Sequence, residues 1–181
     1  MITSKSGKRE KKSNDKVSKK DICQTPAYAL EPLLPYIKTS THGRVWECAD
    51  GEGYLKKAIS NAGHSVWGTD IIRGGDFLEL NPLPDTEFII TNPPFSLKYR
   101  FLKRCYELEK PFALLMPVDV LGSVTAQRLF KEHGFELMLL NKRIDFKMPN
   151  KGWGGAGAWF PVAWFCWKLL PEQIMYGEIN K

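Results

Sequence analysis

The 181-residue sequence contains no run of eighteen apolar residues, and no hydrophobic block follows its lysine-rich amino terminus. It predicts neither a membrane span nor a secretory signal, and the expected compartment is the cytoplasm. Cysteine and histidine are scarce. Cys23, Cys48, Cys105 and Cys166 lie far apart, as do His42, His64 and His133, and none of the spacings is that of a paired metal ligand or a redox pair. The sequence therefore predicts no metal site and no disulfide scaffold. Internal repeats are absent too. What is present is ordinary globular composition, 43% apolar and 25% charged, enough to bury one good core.

The formal net charge of +6 is unevenly placed. Residues 1–20 hold eight Lys or Arg against Glu10 and Asp15, which accounts for the whole excess; the other 18 of 26 basic and 18 of 20 acidic groups cancel. A segment so poor in apolar residues cannot bury enough surface to fold alone. We therefore expect residues 1–22 to form a disordered basic tail and residues 23–181 to form a single domain. A cationic tail can gather a polyanion by counterion release, nucleic acid being the usual one, or it can serve as a solubilising leader.

From Pro26 onward the pattern alternates helix and strand. A short helix is expected over 26–38, shortened or kinked by Pro32 and Pro35. Strands are expected at 44–48, 65–69, 76–78, 87–91, 111–116, 135–140 and 159–169, and helices through Leu55 and Ile59, over 96–108 and over 123–133. Strands separated by helices imply a mostly parallel seven-stranded sheet covered on both faces. The last strand should be antiparallel, because only a loop (141–158) joins it to the one before. In such a sheet, ligands bind at the carboxyl ends of the strands, where strand order reverses.

Three loops at those ends carry unusual residues. The first reads Glu47-Cys48-Ala49-Asp50-Gly51-Glu52-Gly53. Gly51 and Gly53 allow a tight turn and close approach of a ligand to the backbone, while three carboxylates repel phosphate and favour a cation. The second places Asp70 directly after a strand, where a carboxylate can accept from vicinal ribose hydroxyls. Asp76 and Phe77 follow, offering a polar group and an apolar wall to adenine. An acidic loop, a ribose acceptor and an adenine wall together suit S-adenosylmethionine, which has a sulfonium, an ammonium, a ribose and an adenine but no phosphate. The third loop, Asn92-Pro93-Pro94-Phe95, is stiff, because two prolines fix their φ angles and lack N–H donors. The Asn92 side-chain oxygen and the Pro93 carbonyl can converge on the two hydrogens of one planar amine, and Phe95 can stack on the ring that bears it.

These residues resemble the class I S-adenosylmethionine-dependent amino-methyltransferases that carry an Asn-Pro-Pro-Tyr/Phe motif. The likeness is to small phage-type and prophage-type adenine methyltransferase-like proteins, and it runs from Thr25 to about Leu169. Thr25-Pro26 is similar to the family's amino-terminal motif against the methionine part of the cofactor, and residues 45–53 to its first cofactor motif. Gly68-Thr69-Asp70-Ile71 resembles the ribose motif, Gly75-Asp76-Phe77-Leu78 the adenine motif and Asn92 to Phe95 the catalytic motif. The resemblance implies a Rossmann-like fold. It also implies a cofactor site of Thr25, Pro26, Glu47, Ala49, Gly51, Gly53, Asp70, Ile71, Asp76, Phe77 and Asn92, with Asn92, Pro93, Pro94 and Phe95 as the catalytic loop. The 141–158 loop resembles the family's substrate-facing loop, so Arg143, Phe146, Lys147, Lys151 and Trp153 are its candidate nucleic-acid contacts.

Two departures stand out. Asp50 occupies a position where relatives generally have a small residue or Cys. The twelve residues after Leu169 are too few for the separate target-recognition domain of DNA enzymes of this group, so sequence selectivity should be poor or borrowed. The implied activity is methyl transfer to an exocyclic nucleobase nitrogen, adenine N6 of DNA first. RNA (adenine N6 or guanine N2), protein glutamine and a catalytically dead nucleic-acid-binding scaffold are the alternatives.

Overall fold

The computed structural model describes Asp21 and residues 23–148, 152–153 and 160–180; the basic segment 1–20 lies outside these. The fold is α/β and Rossmann-like, built on a seven-stranded sheet. Strands β1 (Arg44–Glu47), β2 (Ser65–Gly68), β3 (Thr86–Thr91), β4 (Phe112–Pro117) and β5 (Glu136–Leu140) come first in the chain. A two-residue pair, β6 (Lys147–Met148) and β7 (Gly152–Trp153), forms a hairpin outside the main sheet, which is completed by β8 (Val162–Trp167) and β9 (Ile174–Gly177). The order across the sheet is β2-β1-β3-β4-β8-β5-β9. β8 runs antiparallel to both neighbours, and the remaining pairs are parallel.

The central strands are apolar at nearly every position because both faces of the sheet are covered. β4 is buried along its whole length. Successive side chains enter opposite layers, as the period of two requires. Val45, Ile90, Leu115 and Trp164 join one layer, with the amino-terminal turns and helix α1 (Tyr54–Asn61). Trp46, Ile89, Leu114 and Phe165 join the other, with helices α2 (Lys98–Glu107) and α3 (Val124–His133). No helix of the described residues is long and apolar enough to cross a membrane.

Three expectations need correction. Residues 26–38 form 3-10 turns (Ala27–Ala29 and Glu31–Tyr36) rather than an α-helix, since Pro32 and Pro35 cannot supply i→i−4 donors. Residues 76–78 form no strand. Asp76 Oδ1 captures the Leu78 N–H at 2.9 Å, and the Asp76 carbonyl accepts from Glu79 and Leu80, so the segment turns on itself. The seventh strand is instead β9, beyond the expected end of the sheet, paired in parallel with β5. The antiparallel strand is therefore next to last in the chain. Gly177 of β9 sits so close to the 3-10 segment that a Cβ there would lie 2.7 Å from Pro32 Cβ.

The chain leaves β1 through α1 to β2 on one side and returns to β3 on the other, so strand order reverses between β1 and β3. This is the topological switch point at which a crevice opens. The 3-10 segment is anchored to the sheet by the buried Trp164 indole, which donates to the Ala29 carbonyl at 2.8 Å. Trp164→Ala should lower unfolding stability by about 3–5 kcal/mol, read from urea denaturation; a loss below about 1 kcal/mol would show that the segment is held elsewhere.

Candidate active site

The loops that leave β1, β2 and β3 are laced together before any side chain enters the cavity. The Thr69 N–H donates to the Glu47 carbonyl and the Asp50 N–H to the Thr69 carbonyl, at 2.9 and 3.0 Å. Asp70 then joins the first two loops through its side chain. Its Oδ2 accepts from Gly51 N at 2.8 Å and its Oδ1 from Ile72 N at 2.9 Å, leaving a further lone pair on each oxygen. Gly51 has a φ of +53°, the left-handed region that favours glycine, and a Cβ there would lie 2.6 Å from Gln24 Nε2, so that side chain would have to shift.

These loops enclose a cavity of about 260 Å³. Of the residues expected to hold a cofactor, Ala49, Gly51, Asp70, Ile71, Asp76, Phe77 and Asn92 line it. Thr25, Pro26, Glu47 and Gly53 do not. Thr25 is buried, and Pro26 faces a separate groove beside Tyr28 and Tyr54. Gly53 sets the turn into α1 with a φ of +86°. Glu47 is walled in beneath the loop. The lining side chains include the carboxylates of Asp21, Asp70 and Asp76 and no Lys or Arg among the described residues, which suits a cationic ligand without phosphate.

Asp50 turns away from this cavity. Its Oδ2 accepts from Arg73 Nη2 at 2.8 Å and lies 3.9 Å from Lys56 Nζ, against Gly68. Burial raises its carboxyl pKa, and the two cations oppose that rise. Asp50 thus stands behind the glycine turn rather than in the ligand space.

Sequence reasoning missed the strap formed by Asp21, Cys23 and Gln24. Asp21 accepts from Ser96 N and Oγ, and the Cys23 carbonyl accepts from Asn92 Nδ2 at 3.4 Å. Gln24 exchanges two backbone hydrogen bonds with Lys147, and its Oε1 accepts from Glu52 N at 3.0 Å. Gln24 stands just before Thr25-Pro26, the nearest available signal. Cys48, Ile72, Gly75, Pro94, Leu97 and Phe101 also line the cavity.

In the third loop, Pro93 is buried and Pro94 lines the cavity. Asn92 Oδ1 is a buried acceptor without a hydrogen-bond partner among the described residues. Phe95 meets Phe160 and Phe146 edge to face, with ring centroids 5.5 and 6.2 Å apart. Phe146, a candidate nucleic-acid contact, is thus buried against Phe95 and the core, where it supports that ring. Lys147 is engaged by Glu52 at 2.7 Å and the Tyr54 hydroxyl at 2.8 Å. Arg143 is exposed; Lys151 and the Trp153 side chain lie outside the described residues.

Glu47 is almost completely buried, and its Oε1 accepts from Ala49 N at 3.0 Å and Thr91 Oγ1 at 2.5 Å. Burial pushes its carboxyl up to about 8 in spite of those two bonds, with Asp50 and Asp70 adding like charge. Between the ordinary value of 4.5 and about 8, the folded state holds a proton that the unfolded chain has lost. Stability contributed by Glu47 should therefore fall as pH rises through that window, by up to about 1.4 kcal/mol per unit, and level off above it. Glu47→Gln should flatten this slope in urea denaturation between pH 5 and 9; an identical slope in both proteins would contradict a buried neutral carboxyl.

No protein-family model and no curated protein matches the sequence. Solved structures do match. The chain is similar to the type IIG restriction endonuclease BpuSI over 81% of its own length (TM-score 0.54, 14% identity), spanning 24% of that larger protein. It is similar to the 23S rRNA methyltransferase ErmE over 80% of its length and 68% of that chain (TM-score 0.51, 14% identity). At such identity the likeness establishes architecture alone: the chain shares its Rossmann-like α/β fold with the matched parts of these two proteins.

Proposed function

We propose that this protein is an S-adenosylmethionine-dependent N-methyltransferase acting on an exocyclic amino group of a nucleobase, adenine N6 of DNA first. The observation that carries the reading is Asn92. A buried side-chain oxygen left without a donor among the described residues costs free energy, and here it belongs to a residue that lines a cavity whose other walls are acidic and apolar. A ligand amine supplies the missing donor.

The residues fit the cofactor. Asp70 retains acceptor capacity for ribose hydroxyls, Asp76 and Phe77 border the place expected for adenine, and the backbone of Gly51 lines the same cavity. When bound, S-adenosylmethionine supplies a sulfonium-activated methyl group. The chain's own residues orient the acceptor. Asn92 Oδ1 and the Pro93 carbonyl each take one hydrogen of the amine, drawing them out of the ring plane and restoring electron density to nitrogen. The two prolines hold both oxygens in place beforehand, so little reorganisation is left for the reaction itself. Phe95, in edge-to-face contact with Phe146 and Phe160, is the ring of this loop that would stack on the base. A base stacked in a duplex cannot reach such a cavity, so the target must be single-stranded or flipped.

The basic segment 1–20 joins the described chain at Asp21, on the cavity wall, which favours a polyanionic substrate over a protein one. Asn92→Ala should retain cofactor affinity within about twofold and lose about 100-fold or more in methyl transfer. The assay is labelled-methyl incorporation into DNA, RNA and protein pools, followed by nucleoside mass spectrometry. N6-methyladenine in DNA is the expected product. Exclusive labelling of RNA or protein would reassign the substrate, and an unchanged rate in the variant would remove Asn92 from its role.

A further inference from the structure

Glu47 ends β1 and Thr91 ends β3, and these strands are parallel neighbours on either side of the switch point. The Glu47 carboxyl crosses between them. A single oxygen, Oε1, accepts from Ala49 N of the glycine turn and from Thr91 Oγ1, the residue immediately before Asn92. Both residues are at most 1% exposed, so water does not compete for these bonds. Ala49 and Asn92 line the cavity, whereas Glu47 stands behind its wall. One buried oxygen thus fixes the wall expected for the cofactor relative to the loop expected to hold the amine.

We propose that Glu47 and Thr91 are positioning residues: through this shared oxygen they set the separation between the cofactor loop and Asn92. The proposal rests on the methyltransferase reading of the cavity. It gives the acidic residue at the end of β1 a role distinct from ligand contact, and it assigns one to Thr91. Displacing reacting atoms by about 1 Å can cost about 100-fold in rate, so a bond that sets this distance should act on the chemical step rather than on cofactor affinity. A hydroxyl that merely satisfied a buried carboxyl would affect stability alone.

The test is Thr91→Val, which removes the hydroxyl and keeps the branched shape, together with Thr91→Ser, which restores the donor. In the full-length protein, Thr91→Val should lower kcat about tenfold or more while the cofactor Kd, measured by calorimetry, stays within about twofold; Thr91→Ser should recover most of the loss. If Thr91→Val melts below the assay temperature, Thr91→Cys, with a weak donor of similar size, should fall between the valine variant's loss and wild type in kcat. An active wild type with unchanged kcat in the valine or cysteine variant overturns the brace alone. So does a loss explained wholly by cofactor Kd, or one that serine fails to repair. A wild type that transfers no methyl group to DNA, RNA or protein overturns the underlying reading as well.

Discussion

The candidate site depends on buried carboxyl groups that accept hydrogen bonds from more than one loop. Asp70 bonds the glycine turn and its own turn; Glu47 bonds the glycine turn and the end of β3. Each is surrounded by backbone N–H and hydroxyl donors rather than by arginine, so each fixes geometry without bringing a cation into the cavity. The cations that do approach, Arg73 and Lys56, reach Asp50 from behind. Negative potential inside the cavity and neutralised charge outside it follow from the same arrangement.

This division of charge explains how a chain with a net +6 can present an acidic cavity. The positive excess is carried by residues 1–20, and the folded body is balanced overall. Within that body, Glu47, Asp50, Glu52 and Asp70 lie at or just beyond the carboxyl ends of β1 and β2, where parallel strands open the crevice. Composition alone would have suggested a uniformly basic surface. Position along the chain decides otherwise.

Much of the fold was legible because central strands buried on both faces read as short apolar runs between helix-period segments. Phe112–Pro117 and Thr86–Thr91 are such runs, and both appear within one residue of expectation. The errors came from competing local bonds. Asp76 looked like the start of a strand, but its side chain closes a turn with Leu78; Ile174–Gly177 is short and lies beyond a Pro-bearing loop, so only its register with β5 reveals it. In the site, the residues after strands were readable because those positions have few other reasons to be acidic or stiff. The strap was not, because its bonds join Asp21 to Ser96 and Cys23 to Asn92, about seventy positions apart. Phe146 shows a related limit: an aromatic in a glycine-rich, basic stretch looks free, yet its ring fills the space behind Phe95.

The two main-chain bonds between Gln24 and Lys147 make the β6–β7 hairpin and the strap a single mechanical body. Lys147 also grips Glu52, and Gln24 grips the Glu52 N–H, so that body is bolted to the glycine turn at two points. These bonds end on Glu52, the neighbour of Gly51, whose N–H is tethered to Asp70. The placement of the hairpin and the shape of the inner chamber thus rest on the same few bonds.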